Sequence, residues 1–363
     1  MPQVNTARAA LHRVGHAERR YRDGVRFLAA LVTLVTALGP GPVPAAVAAP
    51  PVVPTAAPAV ETEPVGHSAS AALDVALWTD PARRRRSMVI GTDQKGPLET
   101  YDLAGRRLQR IDDLYPTGVD VRGDVVVATS GRTLRVFTVD AASRRLRPRA
   151  VVPTTVAPYG LCLYRSAAGD LHAFSTSVGG RVEQWQLTVR GARVTVKAVR
   201  KWTVGTRLDA CVADDTHGAL YVSERRFGIW RYRADPDGGL RRTLVDRAKT
   251  RWGGQNGKVT ANVEGLAIAG DRLYASSQGT SDFVAYSRVG NAYLGRFRVA
   301  NSRDVDGCQD TVGIEATSRA LGPRFPEGLF VCHDGYNLDG TTVKRENFKL
   351  VPMTAVVRVR RSR

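Results

Sequence analysis

From about residue 72 to residue 357 the chain is written in short apolar runs rich in Val, Leu, Tyr and Trp, each closed by a turn carrying Gly or Asp. Almost none of them keeps the spacing of an amphipathic helix, and their polar alternation is imperfect, the pattern of short strands covered on both faces. Stretches such as ANVEGLAIAGDRLYASSQG (residues 261–279) go further and place an acid, Glu264, where a strand is about to begin.

The same order recurs along the body. SMVIGTDQKGPLETYDLAGRRLQRI from Ser87, GVDVRGDVVVATSGRTLRVFTVD from Gly118, GLCLYRSAAGDLHAFSTSVGGRVEQWQL from Gly160, ACVADDTHGALYVSERRFGIWRYR from Ala210, GLAIAGDRLYASSQGTSDFVAYSR from Gly265 and GIEATSRALGPRFPEGLFVCHDG from Gly313 share one grammar. A small residue leads into a strand, a tight turn, a second strand and, in most copies, a third. A period of about 40 to 55 residues with these turns predicts an all-β fold, a six-bladed β-propeller. A β-sandwich would not repeat so regularly. The last apolar stretch, VPMTAVVRV (residues 351–359), is expected to pair near Asp74 and close the ring, since closure removes exposed edges.

The 363-residue chain opens differently. Six arginines between Arg8 and Arg26 precede the apolar run FLAALVTLVTAL, and Ala46-Val47-Ala48 follows as a cleavage site, so residues 1–48 read as a secretory signal. Residues 49–71 are rich in Pro and Ala and read as an extended or disordered lead-in, and residues 72–363 as the propeller domain. Once the signal is cleaved, no stable membrane insertion is expected, and the mature protein reads as a soluble, secreted, extracellular monomer.

Charge narrows the partner class. The formal net charge of +19 becomes +15 without residues 1–48, a surface that gathers anions. Nucleic acid is not expected, because aromatic and basic residues do not interleave as base-stacking platforms require. A polyanionic small molecule remains.

Cys162, Cys211, Cys308 and Cys332 all lie in the exported body, which suits two disulfides with three possible connectivities. The absence of a CxxC pair argues against structural zinc. Within the repeat grammar Cys308 precedes the first strand of the last copy and Cys332 ends its second, so pairing of the strands brings them together. Cys162 and Cys211 occupy like positions in neighbouring copies and form the second expected pair.

Superposing the copies puts Asp120, Asp209 and Glu264 near the beginnings of innermost strands, with Asp74 and Asp310 beside them. A ring of carboxylates around a channel is costly unless cations neutralise it, and hard oxygen donors favour Ca2+.

At this point the body, from about Glu61 to Pro352, resembles the β-propeller phytases, secreted calcium-dependent phosphatases that act on phytate, inositol hexakisphosphate. The resemblance is carried by ETEPV (61–65), LDVALW (73–78), VADD (212–215), VEGL (263–266), ASSQG (275–279), the DG and GI of DGCQDTVGIE (306–315), GLFVCHDG (328–335) and NFKLVP (347–352). It implies catalytic roles for Glu264, Asp209 and Glu224, phosphate binding by Lys95, Arg132 and Tyr159, and Ca2+ ligation by Asp74, Asp209, Glu264, Asp306, Asp310, Asp334 and Asn337. It further implies hydrolysis of a phosphomonoester by a metal-activated water, stabilised by basic side chains, without a covalent nucleophile.

Departures from the family pattern are concentrated at those positions. Leu73 and Val75 replace an acid and a proline, Val178 a phosphate-binding lysine, and Arg225, Asn262, Val312 and Tyr336 stand where acids are expected. Fewer or weaker calcium sites follow, and a secreted propeller that binds calcium or phosphorylated ligands without turning them over is the competing expectation.

Overall fold

The computed structural model describes residues 52–250 and 256–357, which fold as six antiparallel sheets set in a ring. Blade one is built from Ala72–Trp78, Met88–Asp93, Leu98–Asp102 and Arg107–Ile111, and blade two from Val119–Arg122, Val125–Ser130, Thr133–Asp140 and Arg145–Pro153. Blade three comprises Leu161–Arg165, Leu171–Thr176, Arg181–Arg190 and Arg193–Thr203; blade four comprises Leu208–Asp214, Ala219–Glu224, Gly228–Arg233 and Arg242–Arg247. Blade five runs Val263–Ala269, Arg272–Ser277, Asp282–Ser287 and Tyr293–Val299, and blade six Ile314–Thr317, Leu329–Asp334 and Asn347–Pro352. The first strand of each blade is innermost, and these six pack side by side in chain order until Ile314–Thr317 meets Ala72–Trp78.

The fourth strand of blade six comes from the other end of the chain. Val60–Glu61 pairs antiparallel with Asn347–Pro352, with Val60 opposite Leu350 and Glu61 opposite Lys349. Thr55–Ala56 adds a parallel fifth strand to the edge of blade five. This corrects two expectations. The described part of the stretch, residues 351–357, does not form a closing strand near Asp74, because Val351–Pro352 ends the third strand of blade six and Met353–Val357 is a short helix. The lead-in is extended, yet two pieces of it belong to the ring, and burial of Ala56, Val60 and Val65 anchors it there. The signal expected over residues 1–48 lies outside the described residues. Among the described residues no helix is long and apolar enough to cross a membrane.

Six apolar clusters occupy the six seams between neighbouring blades. A blade is therefore covered on both faces, which is why Met88–Asp93, Leu98–Asp102 and Leu329–Asp334 are buried at every position and alternate poorly. Both expected disulfides are formed. Cys162–Cys211 joins the innermost strands of blades three and four, and Cys308–Cys332 ties the approach to blade six onto its second strand.

Candidate active site

The acids at the strand beginnings are aimed by a recurring irregularity. Pairing of the first two strands skips between Ala72 and Val75 in blade one, between Leu208 and Cys211 in blade four, and between Val263 and Leu266 in blade five. Each skip is a β-bulge in which two residues face one on the partner strand, a device that redirects side chains. Asp209 and Glu264 are the first bulge residues of their blades, whereas Asp74 is the second, with Leu73 in the first place. The backbone N–H groups confirm this register, since Asp74 and Ala210 donate alike to hydroxyls of the second strand, Thr92 at 2.8 Å and Ser223 at 2.9 Å. A one-residue offset reverses a side chain's direction. The expected single ring of carboxylates accordingly divides in two.

Asp209 and Glu264 form the first group, on the face where the innermost strands begin. Arg225, in the turn after Ala219–Glu224, spans them, with Nη1 3.2 Å from Asp209 Oδ1 and Nη2 2.9 Å from Glu264 Oε1. Arg207 donates from Nε to the same Asp209 oxygen at 2.8 Å and lays its guanidinium over the Tyr159 ring at 4.7 Å. Both Glu264 oxygens and Asp209 Oδ2 are buried and accept no hydrogen bond, so Arg225 meets Glu264 Oε1 as an ion pair only. Burial, followed by the Asp209 charge, pushes the Glu264 carboxyl up to about 8, and burial also raises Asp209. Gly265 is needed behind Glu264, since a Cβ there would lie 2.5 Å from the Val312 carbonyl oxygen of the next blade's approach.

Asp74, Asp120 and Glu315 form the second group, inside the channel. Asp74 accepts from the N–H groups of Val75 and Val119, both at 2.9 Å, and Asp120 from those of Val121 and Leu163 at 2.6 and 2.7 Å. Arg122 pairs with Asp120 at 3.1 Å and with Asp215 at 3.1 Å. Desolvation raises Asp74 to about 7 and Glu315 to about 8, the Asp120 charge adding to both shifts. These groups line a cavity of about 420 Å³ that opens where the innermost strands end. Asp74 is thus apart from Asp209 and Glu264, its oxygens already engaged.

Blade six supplies a third group. The fully buried ammonium of Lys349 is 2.6 Å from Glu61, 2.9 Å from Asn337 Oδ1 and 3.3 Å from Asp334 Oδ2, and it also pairs with Asp306. Burial raises Asp334 to about 6 against the pull of Lys349. Asp310 stands apart and exposed, its N–H donating to Ser281 Oγ at 3.3 Å, its carbonyl accepting from Gln278. Gln278 also accepts from Asn262, so the loop holding Asp310 touches the approach to Glu264.

The remaining candidates sit on the same face as Glu264. Lys95, Arg132, Val178 and Arg225 occupy the turns between second and third strands of blades one to four. Lys95 donates to the Ser68 carbonyl at 2.6 Å, and Arg132 to the Thr155 carbonyl at 2.6 Å. Glu224 is directed outward, its carboxylate taken up by the Thr206 N–H at 2.7 Å, the Thr206 hydroxyl and the Trp230 indole N–H at 2.8 Å. Arg207 and Arg225 were absent from the sequence-based site. The RLD of Arg207 to Asp209 held a signal, because alternate strand residues share a face.

Among the described residues no three His, Cys, Asp or Glu side chains converge as a metal-holding group. The donor sets differ in their fitness for calcium. Glu61, Asp306, Asp334 and Asn337 are all oxygen donors and carry three carboxylates against one ammonium, so the set keeps the net negative charge a hard cation needs, with Lys349 now lying among the donors. Between Asp209 and Glu264 two guanidiniums already balance the charge.

Comparison with known proteins gives the chain its relatives. A family model described as Phytase matches residues 25–359. A 3-phytase of Bacillus subtilis (strain 168) is 33% identical over 317 residues, covering 80% of this chain and 81% of the relative. In fold alone, the chain is similar to Chaetomium thermophilum Sqt1 bound to the N-terminus of ribosomal protein L10, with TM-score 0.50, 14% identity, and coverage of 80% of this chain and 90% of that one.

Proposed function

The chain belongs to the phytase family, and we propose that it is a secreted enzyme that hydrolyses phytate to lower inositol phosphates and inorganic phosphate with the help of calcium. The observation that carries this reading is the buried, unpartnered Glu264 Oε2 set beside two arginines on the open face. A carboxyl lifted to about 8 is a proton acceptor matched to near-neutral pH. Arg225 and Arg207 set positive charge beside it, and Lys95 and Arg132 add more on the same face of the ring, as a substrate bearing several phosphates requires.

In this reading Glu264 accepts a proton from a water that attacks phosphorus in line. The bond from phosphorus to the inositol oxygen breaks, and that oxygen takes a proton from solvent, to which Glu264 returns the one it accepted. Arg207 and Arg225 hold the charge on the transferring group. Asp209 orients both guanidiniums, and Tyr159 supports Arg207 from below. Glu224 fixes the turn that carries Arg225. Glu61, Asp306, Asp334 and Asn337 are the residues that would hold calcium, with Asp310 on the neighbouring loop. Bound calcium supplies positive charge to phosphate and water oxygens. Two disulfides agree with an oxidising, extracellular destination.

The test is release of inorganic phosphate from phytate by the purified protein, with calcium titrated and a chelator as control. Calcium-dependent release is expected. No release at any calcium concentration would overturn the reading and leave a propeller that only binds.

A further inference from the structure

The Asp209–Arg225–Glu264 bridge is unusual in being fixed from both sides. The Arg225 N–H donates to the Arg207 carbonyl at 3.0 Å, and the Arg225 carbonyl accepts from the Val263 N–H at 2.8 Å, so its backbone is clamped between the approaches to the two acids. Its side chain is 23% exposed while those of Asp209 and Glu264 are each 1% exposed. Two carboxylates this deeply buried need a cation between them, and the guanidinium is already there. Of the five N–H donors of an arginine, Nη1 and Nη2 supply those that meet the two acids, and the side chain as a whole is still partly exposed.

We propose that Arg225 is a resident cation of the site, doing the charge-balancing between Asp209 and Glu264 that a divalent ion would otherwise do and offering its free edge to a phosphate of the substrate. Calcium is then confined to other donors such as those around Lys349, and the ion pair of Arg225 with Glu264 engages Oε1 while Oε2 has no partner. The inference deepens the phytate-hydrolysing reading and rests on it only for the nature of the anion.

Counting bound calcium tests the idea without turnover. Equilibrium dialysis of the folded protein against radioactive calcium is compared for wild type, Arg225→Lys and Arg225→Glu. Arg225→Glu puts a third carboxylate where a cation stood and is expected to bind about one more calcium ion per chain than wild type, whereas Arg225→Lys should keep the wild-type count. An unchanged count in folded Arg225→Glu would overturn the proposal. Should that variant fail to fold even with calcium present, Arg225→Gln, which removes the charge without adding repulsion, is read by the same dialysis and the same two outcomes decide. Calorimetry with inositol hexakisphosphate in chelator supplies the second arm. Affinity should fall at least about tenfold in Arg225→Gln, a loss of about 1.4 kcal/mol, and undiminished affinity would remove the substrate contact. Failure of wild-type phosphate release would refute the enzymatic reading while leaving the calcium count standing.

Discussion

Glu61 and Lys349, 288 residues apart, are joined by an ion pair of 2.6 Å across the closing seam of the ring. One belongs to the short strand that precedes blade one, the other to the last long strand, and their backbones are paired as well. Lys349 also gathers Asp306, Asp334 and Asn337, so a single ammonium holds the lead-in, the loop before blade six and the blade itself.

Replacing Lys349 by Met leaves three carboxylates facing one another without their cation. Loss of one partner from a buried ion pair costs about 3–5 kcal/mol, so the urea midpoint should fall accordingly in chelator. Because the donors that remain are oxygens, calcium should restore part of the loss. A variant as stable as wild type in chelator would show that the cluster contributes nothing to closure.

Glu264→Gln tests the proposed proton acceptor. The change keeps shape and removes proton-accepting capacity, so phosphate release should fall at least about tenfold, about 1.4 kcal/mol of transition-state stabilisation. Thermal stability should hold or rise, since a buried carboxyl raised to about 8 is replaced by a neutral group. Wild-type turnover in the variant would exclude Glu264 from the chemistry.

The channel acids make a prediction about pH. The carboxyls of Asp74 and Glu315 have folded-state values of about 7 and about 8, above their ordinary values of 3.8 and 4.5. Over the window between ordinary and raised values the folded chain binds more protons than the unfolded chain, so stability declines as pH rises through it. Melting followed from pH 5 to 8 should show this decline, and Glu315→Gln should flatten it. An equally steep decline in the variant would assign the effect to other groups.

The Cys162–Cys211 bridge closes a loop with a sequence separation of 49 between two blades. Replacing both cysteines by alanine should lower unfolding free energy by about 2–4 kcal/mol, measured in urea under non-reducing conditions. Blade three should then exchange its amide hydrogens faster than blade one.

The propeller was legible because its grammar repeats, and because the strands are buried on both faces in every copy. Each disulfide followed from that grammar as well. Closure was expected, but from the wrong segments, for a physical reason. Thr55–Ala56 and Val60–Glu61 are two residues long, sit among prolines and alanines, and draw their order from strands far away in sequence. Convergence of the acids was half legible. Asp209 and Glu264 were placed together, but Asp74 was grouped with them because its offset within the bulge exists only in the pairing register. Arg225 was noticed as a missing acid, and only three dimensions reveal it as the partner of two others.

The same seam orders events in time. A ribosome makes Val60–Glu61 long before Asn347–Pro352 exists, so that short strand must wait, unpaired, for almost the whole body to be synthesised. Until then blade six has no outer edge, Lys349 has no Glu61, and the cylinder stays open as a crescent. Contacts that bridge such a span are slow to form. The four consecutive strands of each of blades one to five can assemble from neighbouring sequence as they appear, and the chain becomes a sealed ring only when its newest strand finds one of its oldest.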